Sequence, residues 1–218
     1  MLARHAQVHK EGIVQNASLR VNKTEVVALV GANGSGKSTF LRGAAGLEEF
    51  VGGQLSVESP TSLLFQNPEH QVVMPSVAAD VALGAPPNLD RHSLNSRVSD
   101  CLDAVNLSGM ETRRVSTLSG GQKQRLALAG ALARDPAVIL CDEITSFLDS
   151  EDASLVMRCV RGAASRGAAC LWATHRLEEA LSCDSAVAFR QNGCTIEGLD
   201  NVAPTQAVDA VRSTSAHH

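Results

Sequence analysis

An α/β fold with a mainly parallel sheet, some antiparallel β elements and a helical insertion is what the sequence predicts, on three observations. Apolar strand-like runs alternate with helix-like segments along most of the chain. The run Glu25-Val26-Val27-Ala28-Leu29-Val30 passes straight into a glycine-rich turn, and residues 37–46 follow with a helical pattern. From Pro75 to about Thr117 the pattern is helical without buried strands, so a block of helices interrupts the strand order.

The other elements follow in order. Leu63-Leu64-Phe65 closes a second strand, and Pro86-Pro87 breaks the helical block with a turn. A helix with apolar periodicity runs through Lys123–Ala129, and strands return at 137–141 and 168–173. Ala186–Phe189, then Asn192-Gly193, then Cys194-Thr195-Ile196 reads as a hairpin with a type I′ turn. Residues 1–218 are expected to form one domain, a core of 1–66 and 127–218 with a helical subdomain of 67–126 inserted in it. A chain of 218 residues is long enough to bury a sizeable core without staples.

Composition removes several classes of function. Hydrophobic residues make up 44% and charged residues 19%, which excludes a disordered chain. The net charge of −4 leaves no electrostatic footprint for nucleic acid, so no nucleic-acid partner is expected. Aromatics are only 3%, with five Phe, one Trp and no Tyr, so stacking surfaces do not dominate. Six cysteines without a Cys-x-x-Cys pair fit neither a zinc ribbon nor a disulfide framework and point to reduced, cytosol-like surroundings. With no long apolar run and no secretory signal, any work at a membrane is expected to be peripheral, through partner subunits.

Gly31-Ala32-Asn33-Gly34-Ser35-Gly36-Lys37-Ser38 fits the phosphate-binding pattern G-x-x-x-x-G-K-[ST], and Thr39 follows. Its context is right, with a buried strand before and a helix after. The glycines let consecutive backbone N–H groups turn inward, so residues 33–39 make an anion nest at a helix N-terminus. Lys37 brings a point charge to the β- and γ-phosphates, and the Ser38 hydroxyl is a ligand for Mg²⁺. An incidental glycine-rich turn is the plainer reading, but strand, glycines, Lys and Ser all agree against it. The apolar strand Ala137–Cys141 ends in two acids: Asp142 is placed for the Mg²⁺ shell and Glu143 to polarise an attacking water.

Leu118-Ser119-Gly120-Gly121-Gln122 then opens the helix at Lys123, with Ser119 as N-cap and exposed N–H groups at a positive helix end. With these residues in place, the chain resembles the nucleotide-binding subunit of an ABC transporter over nearly its whole length. The motifs stand in the family's order: P-loop, Gln66 (Q-loop), the 118–122 signature, the 138–143 Walker B strand and His175, with Asp149 a weaker element. The resemblance implies a P-loop NTPase (RecA-like) core that binds and hydrolyses ATP with Mg²⁺. It also implies a head-to-tail pair of cassettes, homo- or heterodimeric, in which Ser119, Gly120, Gly121 and Gln122 reach the partner's nucleotide. His175 would contact the γ-phosphate and orient the water with Glu143. Gln66 would touch Mg²⁺ or that water, and Asp149 would couple the two sites.

Phe65–Val73 and Val77–Gly84 resemble, more narrowly, the Q-loop and following helix of energy-coupling factor ATPases, which serve vitamin, nickel or cobalt uptake. There, the 66–84 segment would form a groove for a coupling helix of a transmembrane subunit, placing the chain on the cytoplasmic (or stroma-equivalent) side of a membrane. An iron–sulfur assembly scaffold ATPase is the alternative, though its Q-loop surroundings do not look like 65–84. A kinase or GTPase fails on the signature and on the lack of an Asn-Lys-x-Asp guanine reader.

The chain departs from the family's pattern in places. Ile144 stands where the family usually has Pro after the catalytic Glu, which puts the loop's rigidity in question. After Gly84 the chain runs Ala85-Pro86-Pro87-Asn88, not the usual continuation. Little of the group's C-terminal dimerisation region is evident, so a weakly associated or monomeric apo state with ATP-driven pairing is expected. Residues 1–39 hold no aromatic to stack on adenine; His9 or His5, backed by Val14, is the nearest substitute, and weak base discrimination follows.

Overall fold

In the computed structural model, residues 4–8, 14–17, 19, 21–54, 56–189 and 202–215 are described. The main sheet is made of β3 (Val26–Gly31), β5 (Thr61–Leu64), β6 (Val138–Asp142), β7 (Ala169–Thr174) and β8 (Ser185–Phe189), in the order β5-β6-β7-β3-β8. Every pairing in it is parallel. Parallel strands covered on both faces read as near-continuous apolar runs, and β3, β6, β7 and β8 are buried at every residue. A second, antiparallel sheet of β1 (Arg4–Val8), β2 (Val14–Ala17) and β4 (Phe50–Gln54) has the order β2-β1-β4.

The two-residue period of a strand sends neighbouring side chains to opposite faces, so the main sheet builds two cores. On one face Val27, Leu29, Leu140, Leu171 and Val187 pack with Phe40 and Leu41 of α1 (Lys37–Ala44). Phe40 meets Phe189 edge to face with ring centroids 5.9 Å apart. On the other face Val26, Ala28, Val30, Ile139, Cys141 and Trp172 join the core of the remaining helices. These are α2 (Val77–Gly84), α3 (Arg91–Ala104), α4 (Gly120–Ala133), α5 (Ser150–Ser165), α6 (Leu177–Leu181) and α7 (Pro204–Ser215).

The helical block appears as α2 and α3 with short 3₁₀ turns at Pro68–His70 and Val115–Thr117. Its anchor is the buried Asp80 carboxylate, which accepts the backbone N–H groups of Val73 and Met74 at 2.8 and 2.9 Å. The expected hairpin strand and turn at 192–196 lie outside the described residues; β8 itself pairs in parallel with β3, and Ala186 bridges Val202 antiparallel. Among the described residues the cysteines are free and buried, and burial pushes the Cys170 and Cys183 thiols up to about 12. No helix among the described residues is long and apolar enough to cross a membrane.

α2 crosses α4 in close contact. A Cβ built on Gly84 would lie 2.0 Å from the Gly130 carbonyl oxygen, a backbone atom that cannot swing away. Gly84→Ala is therefore expected to force the helices apart and lower unfolding stability by about 1–3 kcal/mol. Urea denaturation followed by circular dichroism measures this; an unchanged midpoint would show that the crossing tolerates a methyl group.

Candidate active site

The parallel register brings the carboxyl ends of four strands to one edge. Val30 pairs with Thr174, Asp142 with Ala173 and Leu64 with Cys141, so Gly31, Glu143, His175 and Phe65-Gln66 all emerge together. This is where open α/β sheets present their ligands. A cavity of about 350 Å³ lies there, lined by residues 33–39, Gln66 and Glu143.

The glycine-rich turn after β3 enters α1 through Gly36, which caps the helix at φ 96°, a left-handed value that favours glycine. Ser35 is 5% exposed, and its hydroxyl oxygen is buried with no hydrogen-bond partner. An orphaned buried hydroxyl costs stability unless a ligand satisfies it, so this cradle fits a polar, oxygen-rich group. Lys37 Nζ donates to the carbonyls of Gly31 and Ala32 at 2.8 and 3.1 Å and stands 3.4 Å from Glu143 Oε1. Ser38 Oγ donates to Asp142 Oδ1 at 2.7 Å. Burial holds the Asp142 carboxyl above its ordinary range, against the opposing pull of that hydroxyl. Hydroxyl, carboxylate and the Gln66 amide are oxygen donors of the kind a small hard cation takes.

Glu143 sits at φ 51°, a left-handed conformation for a non-glycine residue, directly after β6. Its N–H donates to the Ala173 carbonyl at 3.1 Å, fixing it to β7. That bond turns the side chain so that Oε2 stands 3.2 Å from His175 Nδ1 while Oε1 faces Lys37. The loop beyond has no proline to stiffen it. Ile144, 1% exposed, is buried in the core instead, and Thr145 Oγ1 donates to Glu179 Oε1 at 2.7 Å. Rigidity here comes from packing.

Gln66 is held through its neighbour. Phe65 N–H donates to Gln71 Oε1 at 2.8 Å, and Gln124 Nε2 of α4 donates to the Phe65 carbonyl at 3.4 Å. An ion pair between Lys123 and Glu69 adds a second tie between this segment and α4. The signature residues lie elsewhere: none of 118–122 lines the cavity. Ser119 caps α4 in a reciprocal box, its Oγ accepting Gln122 N–H at 3.2 Å while Gln122 Oε1 accepts Ser119 N–H at 3.0 Å. A Cβ on Gly121 would lie 2.1 Å from Asp152 Oδ2, so the α5 carboxylate fills the space a side chain would need. Asp149 caps α5 by accepting Asp152 N–H at 2.8 Å.

The structure thus brings together residues 33–39, Gln66, Asp142, Glu143 and His175, and leaves Ser119, Gly120, Gly121, Gln122 and Asp149 outside their cavity. His9 and the side chains of His5 and Val14 lie outside the described residues. The sequence reading missed Thr145, Glu179, Gln124 and Asp152. The Thr145–Glu179 contact spans 34 residues, and no local spacing announces it.

A family model described as ABC transporter matches residues 14–146. The chain is 41% identical over 207 residues to ABC transporter I family member 10 of Arabidopsis thaliana, covering 93% of this chain and 76% of that protein. It is 36% identical over 189 residues to the energy-coupling factor transporter ATP-binding protein EcfA1 of Latilactobacillus sakei, covering 80% and 68%. Its fold superimposes on the structure of cbiO1 from Clostridium perfringens with a TM-score of 0.82 at 23% identity, covering 98% of this chain and 92% of that one.

If Ile144 replaces proline as the stiffener, Ile144→Ala leaves a cavity beneath Glu143 and lowers stability by about 2–4 kcal/mol. Chemical denaturation reads the loss, and a change below about 1 kcal/mol would mean the loop is not pinned by this side chain.

Proposed function

The chain belongs to the ABC transporter family, and on that premise we propose that it is the ATP-hydrolysing cassette of an energy-coupling-type uptake transporter. The observation that carries this reading is the meeting of Lys37, the Ser38–Asp142 pair and the Glu143–His175 pair at one edge of a parallel sheet. The backbone N–H groups of residues 33–39 seat the ATP phosphates at the start of α1, and the orphaned Ser35 hydroxyl gains a partner there. Lys37 exchanges its contact with Glu143 for phosphate oxygens. Glu143 then accepts a proton from the water that attacks the γ-phosphorus, His175 orients that water, and the bond to the β-phosphate oxygen breaks to leave ADP and phosphate. Ser38 and Asp142, with Gln66, are the residues that would hold Mg²⁺, which when bound supplies positive charge to the phosphates.

The signature supports a site completed by a second cassette, because Ser119, Gly120, Gly121 and Gln122 do not line the chain's own cavity. Asp149, at the exposed start of α5, would couple the two sites. For the membrane partner we favour the 66–84 segment. Beside Gln66, Asn67 and Pro68 a groove of about 290 Å³ is walled by Phe147, which is 76% exposed, and by Lys123 and Gly120. Because Phe65 is tied to α4 through Gln124, movement at Gln66 reaches both the groove and the signature helix. The resemblance of residues 65–84 and the names of the relatives favour transport over an iron–sulfur scaffold role. The chain would work at the cytoplasmic (or stroma-equivalent) membrane face through partner subunits, with phosphate contacts outweighing contacts to the base.

Light scattering of Glu143→Gln with Mg-ATP tests the pairing. The variant keeps the phosphate cradle but removes the base, so its mass is expected to double relative to the nucleotide-free protein. No increase in mass would contradict the reading.

A further inference from the structure

We infer that Glu179 is a positioning residue that sets the Glu143–His175 pair, an inference that rests on the ATPase reading above. Glu179 lies on α6, and its carboxylate does not line the phosphate cavity. Its side chain is only 11% exposed, and it gathers donors from both catalytic loops. Oε1 accepts Thr145 Oγ1 at 2.7 Å and stands 3.4 Å from Arg176 Nη1. Oε2 accepts Thr174 Oγ1 at 2.7 Å and Trp172 Nε1 at 3.1 Å. Arg176 also donates from Nη1 to the Thr145 carbonyl at 3.3 Å and from its backbone N–H to Thr174 Oγ1 at 2.9 Å.

The chain positions of these groups carry the inference. Thr174 and Arg176 flank His175, and Thr145 stands two residues beyond Glu143. One carboxylate therefore clamps both neighbours of the histidine and the exit of the loop bearing the base. On the near side, the bond from Glu143 N–H to the Ala173 carbonyl closes the same ring. The 3.2 Å spacing between Glu143 Oε2 and His175 Nδ1 is held by this frame, since His175 itself is exposed and has little packing to hold it. Hydrogen bonds to a part-buried carboxylate are strong and directional, which suits a fixed geometry. Misplacing a catalytic group by a fraction of an ångström slows chemistry while leaving phosphate binding intact.

Glu179→Gln conserves shape but puts an amide NH₂ among donors, and it loses the ion pair with Arg176. Thr145→Val removes a single donor and leaves the carboxylate in place. The test measures kcat and KM for Mg-ATP, melting temperature and tryptophan emission in both variants. Trp172 is the chain's only tryptophan and reports on Oε2 directly. For Glu179→Gln, kcat is expected to fall about tenfold or more with KM within about threefold, and the Trp172 emission to shift. Thr145→Val is expected to lower kcat by a smaller factor with unchanged emission. Native kcat in both variants, or unchanged Trp172 emission in Glu179→Gln, would overturn the inference. So would a parallel loss of kcat, ATP binding and melting temperature, the mark of a merely structural role. A native chain that does not hydrolyse ATP would refute the underlying reading, a result distinct from active native protein with indifferent variants.

Discussion

The pairing of β6, β7 and β3 in parallel is the constraint on which the site depends. β7 lies between the strand that delivers the phosphate cradle and the strand that delivers the acids. Its register with both places Thr174 beside Val30 and Ala173 beside Asp142. A slip of one residue would send every side chain of β7 to the opposite face, burying polar Thr174 in the wrong core and parting His175 from Glu143. The core prevents such a slip. Trp172 and Cys170 pack in the core with α2–α7, while Leu171 and Ala173 pack in the core with α1.

From that edge the rest of the site is built by local backbone choices. Gly36 turns the chain into α1 with a left-handed φ, and Glu143 leaves β6 in the same region without being glycine. Such a conformation in a side-chain-bearing residue persists only where its surroundings hold it. Here the surroundings are a backbone bond to β7, the buried Ile144 and the Glu179 hub. With Ile144 after Glu143 in place of a stiffening proline, the loop is held by packing and by hydrogen bonds to the part-buried Glu179 carboxylate.

Much of this was legible in the sequence, and the reason is physical. Strands buried on both faces have to be apolar throughout, so Val26–Val30 and Val138–Cys141 announced themselves, and a phosphate nest requires its glycines and lysine at fixed spacing. Lys37, Ser38, Asp142 and Glu143 follow such rules, and Ser119 was readable as a cap. Contacts that join distant segments were not legible. Nothing local marks Glu179 as the acceptor for Thr145, or Gln124 as the tie to Phe65, or Asp152 as the reason Gly121 must lack a side chain. These depend on which helix packs over which strand end, and that is decided by the fold.

On the proposed function, this edge binds ATP through Lys37 and cleaves it through Glu143. Rapid-quench single-turnover kinetics, run beside equilibrium ATP binding, separates the two roles. Lys37→Ala is expected to lose binding. Glu143→Gln is expected to bind ATP about as tightly as the native chain while its cleavage step slows by about a hundredfold or more. Cleavage at the native rate in Glu143→Gln, or loss of binding and cleavage together in that variant, would contradict the account.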